Sequence, residues 1–181
     1  MSYKEELTKA MTWLGKQPDT VFLGQQVKYP GNGLFDTLQG VPMDKRIEIG
    51  VAEDLQMGLS IGLAMAGKVP ITIYPRMDFL MCAMNQLVNH LDKYPDLKVI
   101  IRVCVGSKTP LDPGPQHSGD YVKGLREMLK NVRVLDLGLP QVIFKAYQYA
   151  YGHKKDRIAE GYGSKWNSTI LVERGDLYGV E

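Results

Sequence analysis

The stretch from Arg46 to Lys93 constrains the fold of this chain most. It reads RIEIGVAEDLQMGLSIGLAMAGKVPITIYPRMDFLMCAMNQLVNHLDK. A short apolar strand, 46–50, is predicted to run into an acidic turn carrying Glu53 and Asp54. A helix rich in small residues (54–66), a buried strand (71–74) and a second helix (78–93) should follow. Strand and helix in alternation predict a mostly parallel sheet with helices on both faces. The same order puts Glu53 at the end of a strand and the start of a helix. In open α/β sheets that edge is where ligand groups gather.

The rest of the chain extends the pattern. A helix is expected over 3–16, ending at Gly15, and a first buried strand over 21–26. Residues 28–42 hold Gly31, Gly33, Gly40 and two prolines and read as a loop. KVIIRVCV, 98–105, has β-branched residues on both faces and is expected to be the longest, central strand. Pro110, Pro113 and Pro115 then form a loop that delivers His117, and Ser118 is a candidate cap for a helix over 121–130. A strand at 133–136 and a helix at 140–151, with proline in its first turn, come next. A polar excursion over 151–167 precedes a closing strand at 170–173. Right-handed crossovers follow from parallel connections. The whole, 1–181, reads as a single α/β domain without repeats or linkers.

Composition fits that reading. With 181 residues, 44% hydrophobic and 23% charged, the chain can bury a core of its own. A net charge of +2 points to neither nucleic acid nor an anionic membrane as partner. The two cysteines, Cys82 and Cys104, lie in apolar runs and are expected to be reduced core residues of a cytoplasmic protein. No signal peptide and no apolar run long enough to span a bilayer is visible.

Four pieces in order carry a family resemblance. They are GVAEDLQMGLSIGLAMAG around Glu53, the DF…A…NQL.N run from Asp78 to Asn89, GPQHSGD at 114–120, and LVERGDLY at 171–178. Together they resemble the pyrimidine-binding domain of thiamine diphosphate enzymes. The likeness is nearest to the beta subunit of 2-oxo acid dehydrogenases such as pyruvate dehydrogenase, with transketolase and deoxyxylulose-phosphate synthase further off. It covers about residues 20–180. The fold it implies is the transketolase pyrimidine-domain type. On that resemblance, the family's usual C-terminal domain is expected to be absent from this chain.

The resemblance assigns roles to three residues. Glu53 matches the acid that bonds a nitrogen of the aminopyrimidine ring and favours its imino tautomer. Such an acid must share a proton near neutral pH, so burial is expected to raise its pKa. Phe79 matches the ring that stacks on the aminopyrimidine. His117 matches a histidine that faces the substrate and can pass a proton. On spacing alone, Glu53 reads more readily as a helix-start acid, and Phe79 and His117 read also as a core ring and an exposed loop residue. Asp112 and Gln116 flank His117 and are candidates to orient it. Gln86 and Asn89 read as a polar seam at a subunit contact, and Cys82 as a packed thiol near Phe79. His90 and His153 read as a helix-face residue and a surface residue. Gly58, Gly62 and Ala66 form a small-residue stripe suited to close helix contact, either across a dimer interface or on the chain's own sheet.

Absences complete the expectation. No GDG motif, Walker loop, GxGxxG or zinc spacing is present, and PGNG at 30–33 reads as a turn. RGD at 174–176 reads as a strand-end turn. The cofactor's Mg2+ and diphosphate are therefore expected on a separate diphosphate-binding subunit, with no metal held here. The implied assembly is a homodimer contact within a heterotetramer, inactive without its partner. The implied activity is that of a 2-oxo acid dehydrogenase-type oxidoreductase subunit. A split transketolase-like transferase subunit, a non-catalytic module retaining the fold, and a cut end at LYGVE are the alternatives.

Overall fold

A computed structural model describes residues 1–106, 112–152 and 167–179. Helix α1, Tyr3–Gly15, starts at a capping box: the Ser2 hydroxyl accepts from Glu5 N and the Glu5 carboxylate accepts from Ser2 N. Strand β1, Thr20–Gly24, precedes a short helix, α2 (Gly33–Asp36), inside the segment expected to be all loop; the Asn32 side chain caps it. Strand β2 (Arg46–Glu48), helix α3 (Glu53–Met65) and strand β3 (Val69–Tyr74) follow. Helix α4 is only Met77–Met81. Then come strand β4 (Ile100–Val105), helix α5 (Val122–Met128), strand β5 (Val132–Leu137), helix α6 (Pro140–Tyr151) and strand β6 (Ser168–Arg174).

All six described strands pair in parallel, in the order β2-β1-β3-β4-β6-β5. The last strand does not lie at an edge; it inserts between β4 and β5. It is also the longest, at seven residues against six for β4. Alternate residues feed two cores. Phe22, Ile71, Ile100 and Leu171 face α1 and α6, where Leu7, Met11, Ile143 and Tyr147 are buried. Ile101, Val103, Ile170 and Val172 face α3, α4 and α5, where Met57, Leu80 and Leu125 are buried.

The helix expected over 78–93 is not one helix. Cys82 N and Ala83 N bond carbonyls three residues back, which tightens the end of α4. A π turn, Gln86–His90, then widens the coil, and a 3-10 turn closes it. Leu80, Ala83, Leu87 and Leu91 stay buried throughout, so the apolar periodicity is the same for one helix or for three pieces. Cys82 faces solvent rather than the core, whereas Cys104 is buried as expected. Asp120, not Ser118, accepts from the first amide of α5. The polar excursion lies largely outside the described residues, and His153 with it.

Candidate functional site at the carboxyl edge of the sheet

The chain leaves β1 toward β2 on one side and leaves β3 toward β4 on the other. The reversal opens a crevice between the carboxyl ends of β1 and β3, the place where open sheets bind ligands. Gly24 closes β1 there with φ +153°, and a Cβ would lie 2.4 Å from the Ile73 carbonyl oxygen. Gln26 follows at φ +57°, a left-handed conformation that non-glycine residues seldom adopt. The Glu48 carboxylate holds this turn by accepting from the amides of Gln26 (2.6 Å), Val27 (2.9 Å) and Lys28 (2.8 Å).

Glu53 is the first residue of α3 and is half-buried. Buried Gln56 pins the helix start, donating to Thr72 Oγ1 (2.9 Å) and the Ile73 carbonyl (3.0 Å). The Tyr74 hydroxyl donates to the Glu53 carbonyl at 3.2 Å. Burial, aided by the nearby Glu53 and Asp54 charges, lifts that hydroxyl's pKa well above its usual range. Glu53 Oε1 accepts from Gln25 Nε2 at 3.0 Å. Oε2 has no hydrogen-bond partner among the described residues. The burial expected of this carboxyl is thus only partial in the structure.

Phe79 is half-buried on the α3–α4–α5 core. The His117 ring meets it edge-on, with centroids 5.2 Å apart and planes at 81°. His117 is half-buried, and its Nδ1 is buried without a partner. Two devices place it. A Cβ on Gly106, just past β4, would sit 2.5 Å from the His117 carbonyl oxygen, so only glycine lets the loop lie this close. Asp78 clamps the far side, accepting from Gly119 N (3.1 Å) and the Tyr121 hydroxyl (3.2 Å). That negative charge raises the Tyr121 pKa.

The structure therefore brings Phe79 and His117 together and sets Glu53 along the same edge, with no hydrogen bond from Glu53 to either ring. The other candidates stand apart. Asp112 accepts from Gly114 N at 2.9 Å and does not reach His117, and Gln116 is exposed. Gln86 donates to Asp54 at 3.2 Å, tying the π turn to α3, while Asn89 and His90 face solvent. Gly62 and Ala66 are exposed, so the small-residue stripe does not pack on the chain's own sheet. Arg174 pairs with Asp136 and Asp120, and the turn after it is a 3-10 helix, as expected of a strand end. Gln25, Glu48 and Asp78 were not anticipated. For Gln25 and Asp78 the available signal was position: one follows a parallel strand's end and the other precedes Phe79.

No family model matches the chain. It is 27% identical over 138 residues, 75% of its length, to 1-deoxy-D-xylulose-5-phosphate synthase from Fusobacterium nucleatum, of which it spans 22%. Among solved structures it superimposes on a split-gene transketolase described as an inactive beta4 tetramer. The TM-score is 0.68 and the identity 20%, covering 96% of this chain and 50% of that one. It also matches the 2-oxoglutarate:ferredoxin oxidoreductase of Magnetococcus marinus, with TM-score 0.59 and identity 11%, covering 98% of this chain and 29% of that one. The chain thus spans at most half the length of these proteins. Its fold is that of a transketolase pyrimidine-binding domain: a six-stranded parallel sheet with flanking helices.

Proposed function

We propose that this chain is the pyrimidine-binding subunit of a split thiamine diphosphate-dependent enzyme, completed by a separate chain that holds Mg2+ and the diphosphate. The observation that carries this reading is the set of groups at one sheet edge. Glu53 offers a carboxylate oxygen without a hydrogen-bond partner among the described residues, and Phe79 and His117 offer paired rings along the same edge. These residues fit the cofactor. The contact with His117 is edge-on and Phe79 remains half exposed, which leaves ring surface for a flat heterocycle. Thiamine diphosphate, held there, would supply a nucleophilic carbon and, in its positively charged ring, an electron sink. Gln25 fixes the Glu53 carboxyl through Oε1 and leaves Oε2 to share a proton with a ring nitrogen. His117 carries a proton to or from the substrate's carbonyl oxygen.

The likeness to a split-gene transketolase supports the transfer branch, and that protein's inactive tetramer supports a chain that is incomplete by itself. The 2-oxo acid dehydrogenase branch rests on the DF…NQL.N and QHS motifs. Calorimetry tests the reading. The chain alone should bind thiamine diphosphate weakly, and mixing it with the diphosphate-binding subunit and magnesium should make binding tight. Tight, magnesium-dependent binding to the isolated chain would contradict it.

A further inference from the structure

Two carboxylates stand at this edge, Glu48 at the end of β2 and Glu53 at the start of α3. Glu48 lies opposite Gly24, the last residue of β1, in the parallel register, and the Ile49 amide donates to the Gly24 carbonyl at 2.9 Å. The two strands end together, and the Glu48 side chain reaches the turn that follows β1. Its Oε1 accepts from Gln26 N, and its Oε2 from Val27 N and Lys28 N. Three successive amides converging on one anion form a backbone nest. The left-handed Gln26, at φ +57°, belongs to that nest. Glu48 makes no ion pair among the described residues, so its charge is matched by these amides.

The nest holds Gln25 from one side. Gly24 holds it from the other, paired with β2 and β3 and too close to the Ile73 carbonyl for a side chain of its own. The Gln26 side chain is tied down as well: its Oε1 accepts from Asn32 Nδ2 at 2.7 Å, and Asn32 Oδ1 caps α2. Gln25 therefore stands between two fixed residues, and its Nε2 donates to Glu53 Oε1 at 3.0 Å. On the opposite wall the start of α3 is pinned by buried Gln56. The Gln25–Glu53 bond thus joins two walls that are each held by other contacts, and on the β1 side the holding group is Glu48.

We infer that Glu48 is a positioning residue for Glu53. By gathering the 26–28 amides it sets Gln25, and Gln25 sets which oxygen of Glu53 is occupied and which stays free. The inference rests on the function proposed above for what Glu53 does, and it adds the residue that keeps Glu53 in place. A glutamine at position 48 cannot do the same. It has one acceptor oxygen, and its NH2 group sets donors against an amide donor.

The side-chain amide signals of Gln25 in the full chain, followed by NMR, test the coupling. Their loss in Gln25→Leu identifies them. On Glu53→Gln they should shift, because their acceptor loses its charge. In the Glu48→Gln background the same Glu53→Gln substitution should shift them at least about threefold less. A second readout is exchange of the thiazolium proton of thiamine diphosphate in the complex with the diphosphate-binding subunit. Glu48→Gln and Gln25→Leu should each slow it by about tenfold. The double variant should lie within twofold of the slower single, because one acts through the other. A merely structural Glu48 would lower the melting temperature and leave the Gln25 response and the multiplicative behaviour intact. Should Glu48→Gln fail to fold, Glu48→Asp carries both comparisons; it keeps the charge and falls short of the three amides. An undiminished Gln25 shift in the Glu48 variant, or effects on exchange that multiply, would overturn the assignment. The Gln25 signals are read without cofactor, so the coupling is decided even where Glu53→Gln leaves exchange unchanged and the cofactor reading fails.

Discussion

Arg102 and Glu173 show what single residues contribute beyond patterning. Both are wholly buried, on the adjacent strands β4 and β6. Glu173 accepts from Arg102 Nε (2.6 Å) and Nη2 (3.0 Å), and from the hydroxyls of Tyr147 (2.6 Å) and Tyr178. Each charge is matched, so the network is tolerable in a low dielectric; removing one partner strands the other. Glu173→Gln should cost about 3–5 kcal/mol in denaturant unfolding. A loss under about 1 kcal/mol would mean that the pair is wetter than the structure indicates. KVIIRVCV and LVERGDLY both read as strands, but nothing in either string says that the arginine of one meets the glutamate of the other. The thiols give a second check. Exposed Cys82 should react with an alkylating reagent in the native state, whereas Cys104, buried and pushed up to about 12, should react only on unfolding. Equal labelling of both, read by mass spectrometry of the peptides, would contradict the packing around β4.

Most elements were legible from the sequence, because buried parallel strands are short apolar runs and α6 announces itself with a first-turn proline and Gly152 at its end. The broken helix after Phe79 was not legible, since its three pieces share one buried face. The partnering of α3 was left open by spacing. In the structure its outer face carries Leu55 and Met65, exposed by 65% and 61%, and a Cβ on Gly62 would meet nothing within 4 Å; Val51, just before the helix, is 84% exposed. An exposed apolar face of this kind is a candidate contact surface, and the sequence's small-residue stripe makes a second copy of the chain the occupant to test. Gly62→Leu should leave the monomer's melting temperature unchanged or higher, because leucine is the better helix former. It should weaken self-association by about 1–3 kcal/mol through overpacking. Sedimentation showing wild type monomeric at every concentration would contradict that use of α3.

At the scale of the whole molecule, parallel topology gathers the ends of β1, β2, β3 and β4 along one edge, and the proposed site is built there. That Glu53, Phe79 and His117 lie along this edge was legible because each follows a strand; the roles the resemblance gives them are part of the proposal. Gln25, Glu48 and Asp78 were not legible, because they act across the edge on residues distant in sequence. Glu48 is the instructive case. It has the same chemistry as Glu53, yet it anchors the turn beside Gln25, so it is no neutral control. Exposed Glu127 on α5 is. The deciding measurement is exchange of the cofactor's thiazolium proton, followed by NMR in the complex with the diphosphate-binding subunit. Glu53→Gln keeps size and hydrogen bonding but cannot share a proton with the ring. Exchange should slow by about 10²–10⁴-fold, equivalent to roughly 3–5 kcal/mol, with cofactor still bound and Glu127→Gln unchanged. Exchange in Glu53→Gln within a few-fold of wild type would make Glu53 an ordinary helix-start acid and remove the catalytic reading of this edge.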